Sequence, residues 1–216
     1  MLNSNNNTKN YNLYAKNYLA SHHAATFYEE ELRKFRRFLI GRKLIDVGCG
    51  PGIHASFFIN KGFDYTGVDS SAEMINKAKN NVPEGKFAVM DFNKLEFPDS
   101  HFDCFWCTEV LLHAPKDNIA KPLREIFRVV KAGAHGFITM QEKERSEDPS
   151  RGVLEEGIIS HVKGGERIKR YIAFYSDEEF SKILKENGFE VKETYTKEKN
   201  KWVTFLCYFV ETKRGD

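Results

Sequence analysis

The chain has 216 residues, enough for one α/β domain with additions. Its 33 Lys plus Arg stand against 31 Asp plus Glu, a formal net charge of +2, so no global field points to nucleic acid or to a membrane surface. No secretory leader opens the chain and no apolar run is long enough to span a bilayer, so a cytoplasmic protein with no membrane attachment is expected.

Met1 to Lys9 is Asn-rich and polar, and residues 1–10 read as a disordered tail. A single domain is expected over 11–216. Tyr11, Tyr14 and Tyr18 recur at helical spacing. A second helical segment, Ala24 to Leu39, carries Phe27, Tyr28, Leu32, Phe35 and Phe38 and ends in a basic stretch before Gly41. Together, residues 11–40 predict an N-terminal helical cap, with Arg33 to Arg37 on a solvated face.

Leu44, Ile45 and Val47 form an apolar, β-prone run that feeds into Gly48, Gly50 and Gly52. Glycines there let backbone N–H groups approach a ligand and start a helix behind it. The spacing is G-x-G-x-G with Cys49 and Pro51 inside. Ile53 stands where a dinucleotide-binding turn has glycine, which disfavours a nicotinamide dehydrogenase. Asp46 is expected to put a carboxylate at the mouth of the site, where it would repel a pyrophosphate and attract a cation.

Strand and helix then alternate. Ile53–Lys61 reads as a helix and Phe63–Asp69 as the second strand, ending in Asp69. An acid about 20 residues past the glycines suits the two hydroxyls of a ribose. Ser70 or Ser71 caps the helix Ala72–Asn80, and Met74 points toward an adenine face. Further strands are predicted at Gly85–Met90, Phe102–Cys107 and Gly136–Met140, with an amphipathic helix at Asn118–Val130. Ser176 and Glu179 start the helix Asp177–Asn187, which Gly188 closes. Phe189–Tyr195 and Trp202–Val210 are the last strands, joined by a short link, so the last runs antiparallel. This alternation predicts a doubly wound, Rossmann-like α/β sheet of seven strands.

Residues 141–175 break the alternation. Two β-prone runs flank Gly164-Gly165, which predicts a β-hairpin insertion after the fifth strand, at the ligand-binding edge. The four cysteines, at 49, 104, 107 and 207, read as reduced thiols. Cys104 and Cys107 fall on opposite faces of a strand, so neither a metal site nor a redox pair is expected.

From Tyr11 to about residue 210 the chain resembles the class I S-adenosylmethionine-dependent methyltransferases of small-molecule type. Leu44 to Gly52 resembles their first motif. Met90-Asp91-Phe92 resembles the adenine-contacting motif, and Phe97-Pro98-Asp99-Ser100-His101-Phe102-Asp103 the approach to the fourth strand. Leu123 to Gly133 resembles the "L-x-E-x-x-R-V-L-K-P-G" helix and turn, with Ala132 in the Pro place. Tyr11 to Tyr18 resembles the "Y-D-x-x-A-x-x-Y" cap. The resemblance implies S-adenosylmethionine as cofactor. Tyr11, Tyr18, Asp46, Gly48, Cys49, Gly50, Gly52, Asp69, Ser70, Met74, Asp91, Phe92, Thr108 and Glu109 would bind it.

The implied reaction is an in-line displacement that moves a methyl group to a nucleophilic atom of a small-molecule acceptor and releases S-adenosylhomocysteine. Holding the partners together supplies much of the rate, so a protein base is not obligatory. His113 is the candidate for substrate contact or proton transfer, and His161 and Tyr175 are further substrate-side candidates. A tRNA or protein acceptor, or a non-catalytic cofactor-binding protein of the same fold, is the alternative. Thr108-Glu109-Val110-Leu111, and not Asn-Pro-Pro-Tyr, follows the fourth strand, and no appended RNA-binding domain is expected. A monomer or homodimer is expected.

Overall fold

The computed structural model describes residues 8, 11–12, 26–38, 41–143, 155–163, 166–200 and 203–213, with backbone only at 38, 160–163 and 166–168. The elements in chain order are α1 (Glu29–Phe35), β1 (Lys43–Val47), α2 (Ala55–Asn60), β2 (Asp64–Asp69), α3 (Ala72–Asn81), β3 (Lys86–Val89) and β4 (Phe102–Cys107). Then follow α4 (Ala120–Val129), β5 (Val130–Glu142), β6 (Glu156–Lys163), β7 (Glu166–Tyr175), α5 (Asp177–Glu186), β8 (Phe189–Asn200) and β9 (Val203–Thr212). Among the described residues no helix is long and apolar enough to cross a membrane.

The sheet runs β3-β2-β1-β4-β5, all parallel, and continues through β9, antiparallel to β5, to β8, which is antiparallel to β9 and so runs in the direction of the parallel strands. That is the doubly wound order expected, with the carboxyl ends of β1, β2 and β4 on one edge. Successive side chains of β4 point to opposite faces. Trp106 stacks on Phe137 (4.5 Å) and meets Phe35 and Phe58 under α1 and α2. Phe105 meets Phe189 on the other face, where Phe127 of α4 and Phe180 of α5 close the second layer.

Two motif residues are structural. Arg128 donates to the Phe97 and Leu95 carbonyls and pairs with Asp99 and Glu125, which staples the loop before β4 to α4. The Asp103 carboxylate accepts from the Arg42 and Lys43 N–H groups and so fixes the entry to β1.

The seven expected strands are present, and the two strands of the hairpin bring the sheet to nine among the described residues. The hairpin after β5 forms as expected, β6 pairing with β7 out to Lys163↔Glu166, and β7 also pairs parallel with β5 at Gln141 and Glu142. β4 stops pairing at Ile138, so β7 takes the edge of β5 that β4 leaves free. The proposed turn at Gly164-Gly165 lies outside the described residues. Two other expectations change. β8 and β9 pair as far as Asn200↔Val203, so the expected link at 195–202 is strand for most of its length. The β5 strand begins at Val130, with a bulge before His135 that buried Thr212 holds by accepting from Ala134 N–H and donating to the Lys131 carbonyl.

The four cysteines are unpaired and buried. Arg33, Arg36 and Arg37 are exposed, as a solvated face requires. Glu31, on the same helix, is buried and takes Lys197 Nζ at 2.6 Å and the Tyr195 hydroxyl at 2.9 Å.

Candidate functional site

At the end of β1 the chain turns sharply. Gly48 and Gly50 have φ of +74° and +53°, values that disfavour a side chain. A Cβ on Gly48 would strike Val110 at 2.5 Å, whereas one on Gly50 would meet nothing within 4 Å. The turn is thus packed from behind and open in front. Gly52 packs against Phe87 and starts the approach to α2.

Asp69 closes one side of that opening. Its carboxylate accepts from the Gly50 N–H at 3.0 Å and from the Ser71 N–H at 2.8 Å. Burial raises its pKa, and the two backbone donors oppose that rise. Each oxygen retains a lone pair for a further donor. Ser71 caps α3 by accepting from Met74 N–H at 3.2 Å and also bonds Asn12; Ser70 bonds Thr8 at 3.0 Å. Met74 is buried within α3. Asp91 is exposed and bonds Asn93, beside the half-buried Phe92.

Asp46 does not stand at the mouth. It is 2% exposed, and the Tyr65 hydroxyl donates to its Oδ2 at 2.8 Å. Gly67 pairs with Asp46 across the strands, and a Cβ there would meet the Tyr65 hydroxyl at 2.8 Å, so the missing side chain makes room for the contact. Burial pushes Asp46 up to about 7, against the Tyr65 bond. Cys49 is buried beside it.

Past β4, Glu109 holds an unusual φ of +56°. Its N–H donates to Thr139 at 2.9 Å, and its carboxylate pairs with Lys199 at 2.7 Å and accepts from Tyr28 at 3.3 Å. Thr108 is partly exposed next to it. His113 follows in a short turn and is buried. Its Nδ1 lies 2.8 Å from the Tyr171 carbonyl and its Nε2 2.8 Å from the Tyr11 hydroxyl. A carbonyl only accepts, so Nδ1 carries the proton of the neutral ring and Nε2 is the acceptor for Tyr11. Arg170 Nη1 donates to the same hydroxyl at 3.1 Å. Burial lowers His113 to about 4, so the ring is neutral at pH 7.

The structure therefore gathers Tyr11, His113, Asp69, Gly50 and Glu109 at the carboxyl edge. Tyr175 does not join them: it is fully buried against Phe180, with Lys116 Nζ over its ring at 4.5 Å. Tyr18 and the His161 side chain lie outside the described residues. Arg170 and Tyr171 were not singled out from the sequence. The available signal was parity, since Arg170 shares a face of its strand with the apolar Ile168 and Ile172. A groove lined by Arg33, Arg36, Arg37, Phe57, Asn60 and Lys61 lies at the other end of α2 and contains none of these groups.

Residues 45–138 match the family described as "Methyltransferase domain". The chain is 33% identical over 112 residues to 2-methyl-6-phytyl-1,4-hydroquinone methyltransferase of Synechocystis, covering 50% of this chain and 34% of that protein. It is 29% identical over 142 residues to ubiquinone biosynthesis O-methyltransferase of Pectobacterium carotovorum, covering 62% and 58%. It thus spans less than two thirds of the length of either relative. The fold is shared with an S-adenosylmethionine-dependent methyltransferase structure from Methanosarcina mazei, at a TM-score of 0.72 and 20% identity over 84% of this chain and 98% of that one. Residues 45–138 thus match a methyltransferase domain, and the sheet order is that of the fold shared with the S-adenosylmethionine-dependent methyltransferase structure.

Proposed function

We propose that this protein binds S-adenosylmethionine at the glycine turn and methylates a small-molecule acceptor. The observation that carries the reading is the Asp69 carboxylate, fixed by Gly50 and Ser71 N–H beside the open face of Gly50. A carboxylate so placed suits two ribose hydroxyls, and the open turn suits a ligand with no phosphate; the residues present fit the cofactor. Asp91 and Phe92 would meet the adenine, and Tyr11, Thr108 and Glu109 the methionine end. When bound, the cofactor supplies a methyl group activated by a sulfonium.

The chain's own part is positioning and exclusion of water. Tyr11, from the N-terminal segment, and Arg170, from the hairpin, meet over His113 and cover the site from two sides. Neutral His113 offers one lone pair, on Nε2, and its ring orientation is fixed by the Tyr171 carbonyl. One relative named as a hydroquinone methyltransferase and one named for ubiquinone biosynthesis support a small-molecule acceptor. A cytoplasmic setting fits the four unpaired, buried cysteines.

Thermal shift tests the reading. S-adenosylmethionine and S-adenosylhomocysteine should raise the melting temperature by mass action, and NAD and NADP should not. Equal stabilisation by NAD would overturn it.

A further inference from the structure

Tyr11 holds two hydrogen bonds of opposite sense. Its phenol donates to His113 Nε2 at 2.8 Å and accepts from Arg170 Nη1 at 3.1 Å. The senses are fixed, because the Tyr171 carbonyl takes the Nδ1 proton and a guanidinium only donates. The arrangement receives a neutral or ionising hydroxyl: an acceptor takes its proton and a cation faces its oxygen. An ammonium would meet the Arg170 charge, and an amide carbonyl would have nothing to give Nε2.

The group is built from three distant segments: the N-terminal segment at Tyr11, the turn after β4 and the hairpin strand β7. Burial raises the pKa of the Tyr11 phenol, Arg170 opposes that rise, and the Asp69 and Glu109 charges add to it.

We propose that the Tyr11 hydroxyl occupies the place of a phenolic hydroxyl on the acceptor, which displaces it from His113 and Arg170. The inference rests on the methyl-transfer reading above and narrows it to O-methylation of a phenol. In that reaction the acceptor O–CH₃ bond forms as the methyl–sulfur bond breaks. The electron pair stays on sulfur as a neutral thioether, and the hydroxyl proton goes to His113 Nε2. Arg170 stabilises negative charge on the oxygen before transfer. His113 touches the reacting oxygen and is the catalytic residue; Arg170 assists it electrostatically.

The test uses 4-nitrophenol, whose phenolate absorbs at longer wavelength than its phenol, titrated into protein saturated with S-adenosylhomocysteine. Binding with a shift toward the phenolate band is expected. Tyr11→Phe vacates the hydroxyl position and keeps the ring, so it should tighten binding by about threefold or more. His113→Gln and Arg170→Gln should weaken it at least about tenfold. No response from wild type, weakening by Tyr11→Phe, or equal binding of 4-nitrobenzylamine overturns the proposal. Because Tyr11→Phe and His113→Gln are expected to move in opposite directions, poor folding of one variant cannot imitate the result. Calorimetry of S-adenosylhomocysteine comes first. Binding of that ligand with a silent probe overturns the phenol site alone, and its absence overturns the methyltransferase reading as well.

Discussion

Tyr65 and Asp46 sit on neighbouring strands and share a buried hydrogen bond of 2.8 Å. Burial leaves Asp46 protonated in the folded chain up to about 7, against an ordinary value of 3.8. A carboxyl raised in the folded state contributes stability that is present below its unfolded pKa and lost as pH rises through its folded one. Its contribution should therefore decline between about pH 4 and 7 by roughly 4 kcal/mol at most. Asp46→Asn keeps an oxygen for Tyr65 and cannot ionise. Urea unfolding should find this variant more stable than wild type at pH 8 and no more stable at pH 4. Equal stability at pH 8 would show that Asp46 ionises there at no cost.

Two histidines act in the opposite sense. Burial lowers both His54 and His113 to about 4. Trp106 Nε1 donates to His54 Nδ1 at 3.2 Å, so the neutral ring is the form that fits. Their contribution is present above about pH 6.5 and lost as pH falls toward 4, at about 3 kcal/mol each. Replacing either with Gln should remove about half of this part of the acid slope, read as denaturant midpoint against pH. A slope unchanged in both variants would place the acid sensitivity elsewhere.

Gly136 of β5 faces Phe105 of β4, and a Cβ on it would lie 2.0 Å from the ring. The ring is fully buried and has no room to move. Gly136→Ala should cost at least about 2 kcal/mol, measured by chemical unfolding. A loss under about 0.5 kcal/mol would mean that this part of the core is loosely packed.

The alternation of strands and helices, the glycine turn and Asp69 were legible because each is written in a short window: an apolar run, a turn, an acid at the next strand end. The Ser176 cap was legible for the same reason, and its hydroxyl accepts from the Glu179 N–H at 3.2 Å. The Glu179 side chain instead pairs with Lys116 and Lys143, tying α5 to the base of the hairpin. What escaped depends on partners far away in the chain. Asp46 turns inward because Gly67 opposite leaves space for Tyr65, which no local pattern announces. Tyr175 faces the core because β7 docks on β5 at only two residue pairs, a register fixed by where β4 ends. Arg170 carries no local mark of a site, and its meeting with Tyr11 exists only once the hairpin has folded.

The central claim is that Asp69 holds the cofactor, and calorimetric titration of S-adenosylhomocysteine into wild type, Asp69→Asn and Asp69→Ala tests it most directly. Asp69 also accepts two backbone N–H groups, so melting of each unliganded variant must be followed alongside, and the alanine variant should lose about 1–2 kcal/mol of stability. The account predicts micromolar-class binding by wild type and a loss of about 1.5–3 kcal/mol in binding free energy for Asp69→Ala at a temperature where it stays folded. Affinity unchanged in a folded Asp69→Ala protein would contradict it and move the ribose away from this carboxylate.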